Sequence, residues 1–142
     1  MSKIIECSEG EYETLCGIWE RSVRASHGFL TDKAVLEIKA ALIPDYFPAV
    51  SLYAVEDDGR LTAFIGLAQD RIEMLFVDAS MRGMGYGTAL IGFARDNGAR
   101  FVDVNEQNPA ALRFYLDAGF HIIGHDETDG AGRPYPILHL SL

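Results

Sequence analysis

Residues 78–96 read DASMRGMGYGTALIGFARD. Glycines alternate at Gly83, Gly85 and Gly87, and a helical apolar pattern starts directly after them. The stretch ahead, RIEMLFVD at 71–78, has the composition and length of a strand. A glycine-rich loop between a strand and a helix leaves backbone N–H groups unpaired at the positive end of the helix dipole, where an anion is favoured. The same loop also serves as a plain tight turn that lets a helix pack closely on a sheet.

Downstream of the loop, the helix pattern runs to about Asn97 and is stopped by Gly98. FVDVNE at 101–106 is the next strand, and NPAALRFYLDAG at 108–119 is a helix with Pro109 in its first turn and Gly119 at its end. Its inward stripe is Leu112, Tyr115 and Leu116. Two closing strands, about 120–127 and 135–142, flank a turn at Gly130 and Gly132. Upstream, strands at 50–56 and 60–68 are joined by Asp57-Asp58-Gly59, a hairpin signal.

Before that hairpin come a short strand at 3–7 and two helices. Ser8 with Glu11 makes a capping-box start for the first helix, whose stripe is Leu15, Ile18, Trp19, Ser22 and Val23 and whose end falls near His27-Gly28. Thr31 caps the second, which carries Val35, Ile38 and Leu42 and is ended by Pro44. The sum is an α/β mixed sheet of about seven strands with four helices, antiparallel in its first half, with one parallel crossover in the second.

A chain of 142 residues, 49% apolar and 23% charged, fits one globular domain over 1–142. No apolar run approaches the ~18 residues of a membrane span. The N-terminus reaches acidic residues within a few positions and shows no leader pattern, so a cytoplasmic location is expected. A net charge of -9 without a cationic stripe argues against nucleic acid or an anionic membrane as partner and mildly favours a basic or amine-bearing one. Cys7 and Cys16 lack metal-ligand spacing and read as inert buried thiols. His121, His125 and His139 show no metal spacing either, so no metal is expected.

Three anion-binding readings compete for the loop. A P-loop needs Lys-Ser/Thr after its last glycine, and Thr88-Ala89 stands there. A dinucleotide fingerprint needs a glycine at the position of Leu90 and would open its domain; Asp103 can pose as its ribose-binding acid. The third reading is a resemblance. Arg82-Gly83-Met84-Gly85-Tyr86-Gly87 resembles the R/Q-x-x-G-x-G/A motif of the GNAT superfamily of acyl-CoA-dependent N-acetyltransferases. NPAALRFYLDAGF at 108–120 is similar to that family's second signature, in the right order and spacing. IWERSVRASHGFL, VNEQN and GRPYPILHL resemble the YjaB-like branch of its small bacterial members.

The resemblance implies a GNAT fold and acetyl transfer from acetyl-CoA to a primary amine in a ternary complex. It implies that the amides of Met84 to Thr88 wrap the pyrophosphate of coenzyme A. It also implies that free amides near Phe76 and Val77, on a fourth strand that bulges open, hold the pantetheine and the thioester carbonyl. Asn105 and Asn108 match positions that bond the pantetheine arm, although Asn108 is equally a helix cap. Tyr115 matches the tyrosine that protonates the leaving thiolate; a phenol of pKa about 10 carries its proton at neutral pH, and passing it to a thiolate whose acid has about 8.5 runs slightly uphill. On its periodicity alone it reads as a buried stripe residue whose hydroxyl finds a partner. Glu73 stands where some members place a base and others place theirs two residues earlier, at Arg71. It acts directly, acts through water, binds a cationic acceptor or is simply a solvated strand residue. Arg21, Arg24 and His27 fall at the end of the first helix, in the region that shapes the acceptor site, where a structural role is the alternative. The acceptor, a small-molecule or peptide amine, is left open, as is the choice of monomer or homodimer. A cofactor-binding sensor without useful turnover is the competing class.

Overall fold

The computed structural model describes residues 1–26 and 28–142; His27 and the acceptor role read for it lie outside the described residues. In chain order the elements are β1 (Ser2–Cys7), α1 (Tyr12–Ser26), α2 (Asp32–Ala41), β2 (Ser51–Asp57), β3 (Arg60–Ala68) and β4 (Arg71–Val77). They are followed by α3 (Tyr86–Asp96), β5 (Phe101–Asn105), α4 (Pro109–Asp117), β6 (His121–Asp126) and β7 (Ile137–Ser141). The strands form one seven-stranded sheet in the order β1-β2-β3-β4-β5-β7-β6. Among the described residues only β4 and β5 pair in parallel, and α3 makes the crossover between them.

Local chemistry explains most boundaries. Ser8 N donates to Glu11 Oε1 at 2.9 Å, closing a short helical turn at Glu9–Glu11 that leads into α1. Ala34 N donates to Thr31 Oγ1 at 3.1 Å and opens α2. Pro44 does not end that helical course. The chain passes from Ala41 into a wide turn at Leu42–Tyr46 that contains Pro44, and Phe47 N donates to Leu42 O. A wider turn accommodates a proline that lacks an N–H and crowds the carbonyl four residues back. It carries Phe47 into full burial against Tyr12 and Phe64, at ring distances of 5.3 and 5.8 Å.

Strand alternation sends side chains to two cores. Ile65, Ile72, Leu90, Val102 and Leu140 pack on the α3 face, with Tyr115 of α4. Leu15, Ile18, Trp19, Val23, Leu52 and Phe64 pack on the α1 face. Leu116, expected in the inward stripe of α4, is instead 38% exposed. Within the short α4, Tyr115 takes the buried position, between Phe114 and Phe120.

Two irregularities in β4 matter most. Gly66 pairs with Met74 and Leu67 with Ile72, so Glu73 is an extra, bulged residue with no partner in that register. On the other edge, β4 pairs with β5 only at Arg71↔Phe101 and Ile72↔Val102. Beyond Ile72, β5 stays with β7 from Phe101 to Asn105 while β4 stays with β3. A gap opens between the two halves of the sheet.

Candidate active site

The gap is a cavity of about 350 Å³. Of the residues singled out in the sequence, Glu73, Phe76, Val77, Arg82, Gly87, Asn105, Asn108 and Tyr115 line it. Ser22 and Ser26 of α1, together with Phe114, also line it. These were not read as site residues, although Phe114 lies inside the 108–120 signature and Ser22 in the inward stripe of α1.

At the mouth stands the glycine loop. Gly83 and Gly85 have φ of 78° and 83°, the left-handed region where a side chain is disfavoured. Gly85 is the N-cap of α3, and the first bond inside the helix runs from Ala89 N to Gly85 O at 3.0 Å. The amides of Tyr86, Gly87 and Thr88 are therefore the unpaired donors of the first turn. A Cβ on Gly87 would sit 3.3 Å from the Phe114 ring and 3.6 Å from Val77, so bare backbone is what keeps this end of the cleft open. Such a terminus can hold an anion such as a pyrophosphate. The Tyr86 side chain turns away and donates to Asp57 Oδ2 at 2.6 Å, while Met84 is 62% exposed. Arg82 Nη2 donates to Ser22 O at 3.0 Å and Ser26 Oγ at 3.1 Å, fastening the loop to the end of α1.

Along the strand, Asp78 N donates to Thr62 O at 2.8 Å. Antiparallel ladders alternate, so the amides of Phe76 and Met74 also face β3, and those of Leu75 and Val77 face the gap. The outward donors expected near Phe76 and Val77 thus belong to Val77 and Leu75, and Phe76 contributes its side chain instead.

Opposite β4, Asn108 caps α4 by accepting from Ala111 N at 3.2 Å, and its own N donates to Asn105 O at 3.0 Å. Asn105 Oδ1 accepts from Gln107 N at 3.2 Å. Both asparagines therefore shape the junction while lining the cleft. Tyr115 is 6% exposed, and burial pushes its phenol well above the ordinary value. It remains protonated over any physiological pH.

Glu73 carries a loose ion pair with Arg71, Nε to Oε1 at 3.5 Å. Arg71 in turn donates to Asp103 at 2.9 Å, and His139 links Asp103 to Asp126. Asp103 is thus held in an ion-pair chain across the sheet. Arg24 lines neither this cavity nor the neighbouring one; it donates to Glu20 at 3.0 Å and Asp32 at 2.8 Å, tying α1 to α2. Cys7 and Cys16 are buried free thiols, and burial raises Cys7 to about 11. Among the described residues no helix is long and apolar enough to cross a membrane.

A helix N-terminus ready for pyrophosphate, set at the mouth of a half-open sheet with a buried tyrosine inside, defines a coenzyme A-dependent acyltransferase. Residues 14–120 match the Acetyltransferase (GNAT) family, and the chain belongs to it. It is an N-acetyltransferase that uses acetyl-CoA as co-substrate. It is similar to the peptidyl-lysine N-acetyltransferase YjaB of Salmonella typhimurium strain LT2, with 38% identity over 132 residues covering 92% of this chain and 90% of that one. The solution structure of apo YjaB from Escherichia coli matches with a TM-score of 0.91 and 32% identity, covering 99% of this chain and 97% of that one. The PaiA N-acetyltransferase of Thermoplasma acidophilum, solved with coenzyme A, shares the fold at a TM-score of 0.74 and 18% identity, covering 100% of this chain and 99% of that one.

Proposed function

We propose that this chain is a peptidyl-lysine N-acetyltransferase, folded as one domain over 1–142 and working in the cytoplasm. The observation that carries the reading is one cavity in which unpaired strand amides, a buried phenol and a bulged carboxylate converge. The similarity to a relative named for peptidyl-lysine supports the acceptor class.

In this reading the amides of Tyr86, Gly87 and Thr88 hold the pyrophosphate of acetyl-CoA, and Asn105 and Asn108 flank the pantetheine arm. The amides of Leu75 and Val77 face the thioester and stabilise negative charge on its oxygen. Transfer forms an N–C bond and breaks the C–S bond. Glu73, directly or through a water, takes the surplus amine proton, and Tyr115 gives its proton to the departing thiolate. Bound acetyl-CoA supplies the activated acetyl group.

Thermal unfolding with acetyl-CoA, CoA, NADH and ATP in parallel tests the cofactor. Ligand at about 100 times its dissociation constant stabilises the fold by about 2.7 kcal/mol, worth several degrees. A shift with acetyl-CoA and CoA alone, followed by acetylation of a lysine peptide, is the expected outcome. No shift at millimolar ligand, or a larger one with NADH, overturns the reading. Superimposable pH–rate profiles for wild type and Glu73→Gln remove the base role of Glu73.

A further inference from the structure

A row of charged side chains crosses the sheet from β4 to β6. Glu73 and Arg71 stand on β4, Asp103 on β5, His139 on β7 and Asp126 on β6. Oδ1 of Asp103 is shared: Arg71 Nη2 donates to it at 2.9 Å, and His139 Nδ1 lies 2.7 Å from it. His139 Nε2 lies 2.6 Å from Asp126 Oδ2. Arg71 Nε, on the same guanidinium edge as Nη2, is left for Glu73, whose Oε1 it meets at 3.5 Å. The Phe101 ring, 6.0 Å from Arg71 Cζ, supports the guanidinium. At the other end, β6 skips from Ile122 to Gly124 in its register with β7, which sets Gly124 opposite His139. A Cβ there would lie 3.3 Å from His139 Cδ2, so bare backbone gives the ring room to span its two carboxylates. His125 of β6 is engaged elsewhere, 3.4 Å from Glu106 and 3.8 Å from Glu127. The charged groups facing the imidazole are therefore Asp103 from β5 and Asp126 from β6, with Arg71 and Glu73 of β4 beyond Asp103.

Resting on the base role proposed for Glu73, we infer that His139 is a positioning residue for acetyl transfer: its imidazolium occupies Asp103, so that Arg71 keeps its Nε on Glu73. A guanidinium favours gripping one carboxylate with Nε and Nη2 together, as Arg21 grips Asp78. With the imidazolium on Oδ1, Asp103 takes Nη2 of Arg71 alone. A neutral imidazole has one N–H for two carboxylates, and Asp103 then turns to Arg71, the one full cation left to it. Nε passes from Glu73 to Asp103, and the bulged carboxylate loses the contact that orients it at the cleft. The Asp103 bond, then the Asp126 bond, raise the imidazole above its ordinary 6.5, so the holding form is the one present below about 6.5. Arg71, Glu73, Asp103 and His139 are between 32 and 43% exposed, so the expected effect on rate is a few-fold change and not a loss of activity.

The test measures kcat/KM for a lysine peptide at saturating acetyl-CoA, from pH 6 to pH 9, in wild type, His139→Gln, Glu73→Gln and the double variant. His139→Gln, neutral throughout, is expected to lower kcat/KM about threefold at pH 6, with the loss closing towards pH 9 as the wild-type imidazole gives up its proton. In the Glu73→Gln background the same substitution is expected to change nothing, because the contact it governs is already gone. The CoA-dependent thermal shift of His139→Gln is expected to match wild type. In the unaltered protein the Arg71 Nε nitrogen resonance is expected to move with the same pH midpoint as the His139 ring, a readout that stands even if a variant fails to fold. A His139→Gln loss that is equal at pH 6 and pH 9, or that persists in the Glu73→Gln background, overturns the inference, as does an Arg71 resonance that does not follow the imidazole. Wild-type transfer by Glu73→Gln would instead remove Glu73 from the chemistry, and with it the reading on which the positioning role rests.

Discussion

Arg21 and Asp78 are joined along one guanidinium edge: Nε lies 3.2 Å from each carboxylate oxygen and Nη2 lies 2.9 Å from Oδ2. Asp78 is 1% exposed and caps the short turn after β4 that leads into the glycine loop. Arg60 stands further off, at 3.6 Å. The pair fixes α1 to the base of the loop, as Arg82 fixes the loop's far side to Ser22 and Ser26.

Replacing Arg21 by Met leaves a buried carboxylate with weaker partners, and a loss of about 2 kcal/mol of stability at pH 7 is expected. The Arg21 hydrogen bonds hold the Asp78 carboxyl below its ordinary 3.8. A lowered folded value means that the stabilisation is complete above about 3.8 and lost as pH falls through the lower folded value. The difference between wild type and variant in denaturant titrations should therefore shrink towards pH 2. A pH-independent difference would show that packing, and not charge, is at stake.

Tyr115→Phe removes one hydroxyl from a ring that keeps its neighbours Phe114 and Phe120. Turnover is expected to fall at least tenfold, with the CoA-dependent thermal shift unchanged. Wild-type turnover would remove Tyr115 from the chemistry.

Gly85 and Gly87 respond differently to alanine. Gly85→Ala places a side chain at φ 83° and should cost about 1 kcal/mol of stability. Gly87 has ordinary helical geometry, so the gain in helix propensity offsets the contact with Phe114, and stability should move by less than about 1 kcal/mol. Its new methyl group narrows the cleft, and a weaker CoA shift is expected. Calorimetric titration with CoA separates the two effects.

His139 lies between two carboxylates, Nδ1 2.7 Å from Asp103 and Nε2 2.6 Å from Asp126. Both nitrogens can donate only in the imidazolium, and the Asp103 bond, then the Asp126 bond, raise its pKa above the ordinary 6.5. A raised folded value means that the stabilisation is complete below about 6.5 and lost as pH rises through the higher folded value. The imidazole signals should titrate above 6.5, and His139→Gln should lower the melting temperature more at pH 6 than at pH 9. Equal effects at both values would contradict the double ion pair.

What was legible in the sequence is what short stretches encode. The glycine loop, the Asn108 cap and the placement of Tyr115 on α4 each follow from a few neighbouring residues, and the family motifs lie there. Pairings across long separations were not legible. Arg21 meets Asp78 over 57 residues, and Arg82 meets Ser22 over 60. The bulge at Glu73 depends on how β3 lies beside β4, so the outward amides were read one residue off, at Phe76 instead of Leu75. Leu116 shows the limit of periodicity: in a helix of nine residues, few stripe positions reach the core.

The seam between β4 and β5 is two residue pairs long. In the proposed reading, an extended ligand that accepts from the Leu75 and Val77 amides would supply the missing rungs, and the co-substrate would become a crossbeam between the halves of the sheet. Those two amide protons should exchange with solvent freely in the empty protein and slowly in the loaded one. Because ligand binding adds directly to the free energy of unfolding, resistance of the purified protein to unfolding and proteolysis is expected to rise with added acetyl-CoA.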